Sequence, residues 1–393
     1  MKKLVFATAI SVALIGTALA EEVKVGLVFG YTGPIESITP GMAQSAETAF
    51  KEINDSGKWL NGKKLTAIRA DSTCTDSTTA TSAAERLVTS DKVVALMSDC
   101  SGVTTAILNN VSMPNGIPLI SPSATSPALS TMEDGGLFFR TSPSDARAGQ
   151  VLSEILHDKG YKSVAVTYTN NDYGKGYADA LAMAFKKLGG NITINAAHED
   201  GKGDYSADIG ALAAAGGDVL VVLGYGDQGG LGIIRAAVDL GAFSKFALGD
   251  GMYNDTMLQE VGAHISGSFG IHPASEGKGY DAFVSLANAA GFEPEKSYRA
   301  QSYDAGALVA LAMAKGGSAD GATIAANLLK VSNTPGTPIL PGELGKALDI
   351  IKSGGEIDYV GATNVELIGP GEAAGTYQEY VIEKKAFRSV GMR

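Results

Sequence analysis

Cysteine and histidine are scarce in this chain, with two and four among 393 residues. His157, His198, His264 and His272 stand at spacings that match no zinc or haem motif, so no metal and no cofactor is expected. G-x-S-x-G, H-E-x-x-H and G-x-x-x-x-G-K are all missing, which removes the local signatures of hydrolases, zincins and phosphate-cradling loops. Ser101 and Ser123 have no histidine at a recognisable sequence position to activate them. Basic residues are outnumbered, 31 against 42 acidic, giving a formal charge of −11. Such a surface repels nucleic acid and anionic lipid headgroups. Low-complexity tracts are lacking too, and 45% of the residues are hydrophobic, the composition of a globular protein.

One apolar run stands out, at the very start. In MKKLVFATAISVALIGTALA, Lys2 and Lys3 precede a short apolar stretch from Leu4 to Ile15, and Ala18-Leu19-Ala20 offers a small-residue exit. Gly16, Thr17 and the acidic pair Glu21-Glu22 interrupt it before the roughly 20 apolar residues that a membrane span needs. Residues 1–20 therefore read as a cleaved signal peptide and the protein as exported to the periplasm. In such an oxidising compartment Cys74 and Cys100 are expected to form a structural disulfide.

The 373 residues that follow exceed the size at which one core stops growing, so two domains are expected. Short apolar runs alternate with helical segments. The runs at 23–29, 65–71, 93–99 and 117–123 form one series, and those at 163–170, 192–197, 218–224 and 245–250 a second. The clearest helix starts near Pro40 with Thr39 as cap and carries Met42, Ala46, Ala49, Phe50 and Ile53 on one face, ending at Gly57. Another starts after the cap Ser144 or Asp145 and ends near Gly160. Two strand-helix series imply two doubly wound, Rossmann-like parallel-sheet lobes with a cleft at the carboxyl ends of their strands.

Gly224, Gly226 and Gly229 spell G-x-G-x-x-G between a strand and a helix, with Asp250 21 residues beyond. That is the chain's one hint of a nicotinamide-linked oxidoreductase. Tyr225 and Asp227 inside the loop argue against it, since a carboxylate there repels a pyrophosphate. Binding is expected, and catalysis is not.

Several segments in order carry a resemblance. VKVGLVFGYTGPIE, AFKEINDSGKWLNGKKL, DSTCTDS, MSDCSGV, ISPSATSPAL and NNDYGKG together resemble the type I periplasmic solute-binding proteins of ABC transporters, in the leucine/isoleucine/valine-binding branch, over the whole mature chain. The resemblance implies two lobes joined by three crossings: residues 23–143 with 272–354, and 144–271 with 355–393. It implies that Ser101, Ser123, Ala124 and Thr125 hold a ligand carboxylate, that Tyr173, Tyr225 and Tyr298 wall the ligand, and that Asp250 receives its ammonium group. It also places Cys74 and Cys100 in the first-lobe disulfide. In the family the acid at the Asp250 position is usually Glu. The opening loop brings Glu36 and Ile38 towards the ligand, and Glu36, Asp99, Asp172 and Asp227 sit beside matched positions. If several of them face the cleft, a cationic or multi-amine ligand is favoured over an aliphatic zwitterion. The implied partners are a small-molecule ligand, an amino acid or related metabolite, and an inner-membrane permease with its ATPase, the receptor itself being a monomer. A sensory module carries the same signature.

Overall fold

A computed structural model describes residues 21–393; the signal-peptide reading of 1–20 lies outside them. Five strands open the chain: β1 (Glu22–Phe29), β2 (Lys64–Asp71), β3 (Ala95–Ser98), β4 (Leu119–Ser121) and β5 (Phe138–Arg140). Five more follow, β6 (Ser163–Thr169), β7 (Asn191–His198), β8 (Val219–Leu223), β9 (Phe246–Leu248) and β10 (Phe269–Pro273). The rest are β11 (Thr337–Ile339), β12 (Ile357–Tyr359), β13 (Leu367–Ile368), β14 (Glu372–Ala373), β15 (Tyr377–Glu383) and β16 (Ala386–Met392). They assemble into two seven-stranded sheets, ordered β13-β14-β5-β4-β3-β1-β2 and β16-β15-β10-β9-β8-β6-β7, with β11 and β12 as a small parallel pair. This is the two-lobed α/β architecture expected from the alternating pattern.

Burial explains the strand sequences. Val219 to Leu223 are buried throughout, because helices cover both faces of the sheet. The helix Thr39–Asp55 buries Met42, Ala46, Ala49, Phe50 and Ile53. Its partner, the helix Arg299–Gly316, is buried from Ala300 to Met313, so it reads as apolar nearly all round. A side chain at Gly306 would meet Ala46 O at 3.0 Å, which is how the two backbones come so close. Thr39 is not the cap: it lies inside the first turn after Ile38, and its hydroxyl donates to Gly30 O at 2.8 Å, tying the helix to the end of β1. Ser144 does cap the helix Asp145–Asp158, accepting from Ala146 N at 3.3 Å.

The return to the second lobe falls later than the expected 355. Leu367 and Ala373 are buried in the first lobe's core, and Glu372 lies opposite Arg140 on β5 and pairs with its guanidinium. The chain joins the second sheet only at Tyr377. There β15 and β16 run antiparallel as a hairpin on β10, an arrangement that needs no crossover helix and so leaves no strand-helix signal. The preceding crossing also comes slightly later than 271/272, since β10 runs to Pro273. Two crossing segments are tied together, Ala274 N donating to Thr376 O (3.1 Å) and Thr376 Oγ1 to Ala274 O (2.7 Å).

Cys74 and Cys100 form a disulfide with Cα atoms 5.3 Å apart, joining the loops that follow β2 and β3. Closing that loop stabilises the fold by about 3 kcal/mol in the chain-entropy account. The double substitution Cys74→Ser with Cys100→Ser is expected to lower unfolding free energy by about that amount in urea titrations, and an unchanged midpoint would contradict this role.

Candidate functional site

The carboxyl ends of the parallel strands of both sheets converge on one small, partly open cavity. On the first lobe its wall is Ile35 and Ile38 from the loop after β1, Met42 from the following helix, Cys100 and Ser101 after β3, and Ser123 after β4. On the second it is Tyr173 after β6, Tyr225 after β8, and Asp250 with Gly251 after β9. Tyr298, at the start of the helix Arg299–Gly316, completes it. This is where a doubly wound sheet presents its loops to a ligand.

Asp250 is 4% exposed. Tyr173 OH donates to its Oδ1 at 3.0 Å and Tyr298 OH to its Oδ2. Tyr298 reaches it from a left-handed backbone conformation, φ +60°, which costs a non-glycine residue about 1–2 kcal/mol. Tyr173 stacks on Tyr225 with ring centroids 5.3 Å apart, and Asn171 Nδ2 donates to Tyr225 OH at 3.2 Å. Burial raises the Asp250 carboxyl above the usual range, against the two phenol hydrogen bonds that favour the charged form.

Asp145 is the residue that sequence reasoning passed over as a helix cap. It is 1% exposed and sits behind the cavity wall, where its oxygens make no hydrogen bond of good geometry, although the adjacent Thr125 hydroxyl and the charge of Arg140 both favour its ionised form. Burial and then the charge of Asp250 push its carboxyl well above the normal range. Tyr173, Tyr177, Tyr298 and Tyr377 all feel both carboxylates, which places the two acids around one set of phenols. Arg140, whose charge reaches Asp145, spends both terminal nitrogens elsewhere and leaves Nε without a partner: Nη1 donates to Ala124 O (3.1 Å) and Ser126 O (2.9 Å), and Nη2 to Ser130 Oγ (2.6 Å) and Glu372. Its work is to set the shape of the 124–130 turn. Only the FFRTSPSD stretch around Arg140 and Asp145 could have signalled either residue, and in the sequence it reads as a break between the two series.

Ser101 Oγ accepts from Ser126 N at 3.0 Å, which leaves its hydroxyl hydrogen to donate at the start of a helix. Ala124 and Thr125 are buried in the turn behind Ser123 and do not line the cavity. Ala124 N donates to Ser121 Oγ (2.8 Å), and Thr125 O accepts from Asp145 N (2.8 Å). Glu36 is corrected outright. Its side chain is exposed, because the loop turns the apolar Ile35 inward and leaves Glu36 to solvent. The other acids named beside the cleft do not make it acidic. Asp172 is exposed; Asp99 is buried but accepts from Gly30 N (2.5 Å), Cys100 N (2.7 Å) and Ser72 Oγ (3.2 Å); Asp227 accepts from Ser37 N at 3.0 Å.

The G-x-G-x-x-G loop has a packing explanation. A Cβ on Gly226 would meet Asn254 Cβ at 2.3 Å, one on Gly224 the His198 Nε2 at 2.9 Å, and one on Gly229 the Asp200 Oδ1 at 2.5 Å. Asp200 Oδ1 already accepts from Gly229 N at 2.9 Å, occupying the helix start that a pyrophosphate would need. Among the described residues there is no cluster of three or more metal-ligating side chains.

Residues 22–347 match the family model described as periplasmic binding protein. A Leu/Ile/Val-binding protein homolog of Brucella melitensis is 32% identical over 330 residues, covering 81% of this chain and 86% of that protein. Among solved structures, the branched-chain amino acid transporter substrate binding protein LivJ of Streptococcus pneumoniae, in complex with isoleucine, superposes with a TM-score of 0.77 at 23% identity, covering 95% of this chain and 99% of that one. A solute binding protein of an ABC transporter from R. palustris, in complex with 4-hydroxybenzoate, superposes with a TM-score of 0.76 at 16% identity, covering 95% and 97%.

If the glycine loop serves packing, Gly229→Ala should lower stability by about 1–3 kcal/mol in chemical unfolding, and NADH should keep the emission of the free cofactor when titrated with the wild-type protein. Quenching of that emission would reopen the nucleotide reading.

Proposed function

This chain belongs to the periplasmic binding protein family, a family of non-catalytic solute receptors, and from that premise we propose that it closes its two lobes around a small aliphatic amino acid and presents it to an inner-membrane ABC permease. The Brucella relative is named for leucine, isoleucine and valine, and the Streptococcus protein is in complex with isoleucine. The observation that carries the reading is the buried Asp250, held by two phenols at the wall of an otherwise apolar cavity, with the buried carboxylate of Asp145 beside the same phenols. Two buried acids, with Arg140 already paired to Glu372, favour a positive charge on the ligand.

The ammonium group goes to Asp250, with Asp145 behind it, and the ligand carboxylate to the hydroxyls of Ser101 and Ser123. The side chain lies against Ile35, Ile38 and Met42, gaining about 0.8 kcal/mol per buried methylene. A benzoate-like acid lacks the cation, and a multi-amine lacks polar partners on that apolar wall. The lobe assignment follows the sheets: 22–140 with 278–373, and 145–273 with 377–392. Removal of residues 1–20 on export belongs to the same proposal.

Calorimetric titration of protein stripped by unfolding and refolding is expected to show tight binding of leucine or valine and no heat with benzoate or a polyamine. The reverse preference would overturn the ligand class. Asp250→Ala should weaken leucine at least tenfold, about 1.4 kcal/mol. Protonating either acid removes the charge that meets the ammonium, and both carboxyls titrate above their normal range. Affinity is therefore full at pH values above those raised pKa values and falls as pH is lowered through the interval in which the two carboxyls protonate. An affinity flat over that interval would contradict the role of the pair.

A further inference from the structure

The two lobes also meet outside the cavity. The loop after β1 turns Ile35 into the cavity, and two residues later Ser37 reaches the other lobe. Ser37 N donates to Asp227 Oδ2 at 3.0 Å, and Ser37 Oγ accepts from Asn254 Nδ2 at 3.0 Å. The same Asn254 nitrogen donates to Asp227 Oδ1 at 3.1 Å. Asn254 is 3% exposed, and its Oδ1 accepts from Met257 N at 3.1 Å as the cap of the helix Asp255–Val261. The cap fixes which end of the amide faces Ser37 and Asp227. None of the three residues lines the cavity. Asn254 lies four residues beyond Asp250, and the intervening turn is held by Ser297 Oγ donating to Tyr253 O at 3.0 Å. A ligand that seats Asp250 therefore also seats the amide that grips Ser37.

We infer that Ser37, Asp227 and Asn254 form a latch that holds the loop of the first lobe down over the occupied cavity and sets the rate at which ligand leaves. The inference rests on the amino-acid reading above for its ligand, though the latch itself is independent of what the cavity holds. Opening the cleft breaks both Ser37 hydrogen bonds, one of them accepted by a carboxylate, along with the cross-lobe contacts of Tyr298 with Asp250, Ser297 with Tyr253 and Lys296 with Asp255. The contacts that recognise the ligand stay as they are until the latch gives, so the latch acts on escape more than on entry.

Asn254→Asp tests this without removing the helix cap, because a carboxylate caps as well as an amide. It turns the donor into a charge that repels Asp227. Leucine release measured by stopped flow is expected to quicken about tenfold, with the association rate and the order of ligand preference unchanged. Adding Asp227→Asn should restore slow release, since the amide introduced at position 227 can donate to the carboxylate introduced at position 254 and still accept from the Ser37 backbone N–H. An unchanged release rate in the single variant, or no recovery in the double one, would overturn the latch. Should leucine fail to bind the wild-type protein, the ligand reading falls and the latch is judged by amide exchange in the peptide containing Ser37. Exchange quickened in Asn254→Asp and slowed again in the double variant would uphold it, and equal exchange in all three would overturn it.

Discussion

Two buried carboxylates, neither of them in a salt bridge, are the constraint on which this structure turns. Asp145 and Asp250 each lose hydration, and the charge of one opposes ionisation of the other. Phenol hydroxyls offset this for Asp250, whereas Asp145 has only the adjacent Thr125 hydroxyl and the charge of Arg140 to set against its burial. In the proposed complex a ligand ammonium at Asp250 offsets this charge. The closed state is then favoured by the ligand's differential affinity for it, which is the only way a ligand can shift such an equilibrium.

The fold holds this arrangement from behind the cavity as well as from its wall. Arg140, fully buried at the end of a short strand, clamps the turn that carries Ser123 to Thr125 and is itself held by Glu372 from the far end of the chain. The disulfide fixes Cys100, so Ser101 starts its helix at a set place. Tyr298 sits in a strained backbone conformation because its hydroxyl is needed on Asp250. Strain and buried charge gather at the cavity, while the sheets behind it follow ordinary packing rules.

Much of this was legible in the sequence. Continuous apolar runs marked the parallel strands, and the order of short segments marked the family and named Ser101, Ser123, Tyr173, Tyr225, Tyr298 and Asp250, which the structure brings to one cavity. What stayed hidden depended on contacts between distant residues. Asp145 looked like a helix cap, and only its burial distinguishes it. Glu36 and Ile35 are neighbours, and no pattern in a non-periodic loop says which one turns inward. The last crossing was misplaced because β13 and β14 are two residues long each, too short to show alternation, and are fixed in the first sheet by the buried Arg140. The glycine loop matched a nucleotide motif because close packing and phosphate binding both demand missing side chains.

The most direct test compares leucine with 4-methylpentanoate, the same molecule without its amino group, by titration calorimetry on stripped protein at neutral pH. Leucine should bind tightly, and the deaminated acid should lose at least a hundredfold in affinity, because it buries two carboxylates beside an apolar chain and neutralises neither. Comparable binding of the two would contradict the account, since the ligand's positive charge would then have no part in filling the cavity.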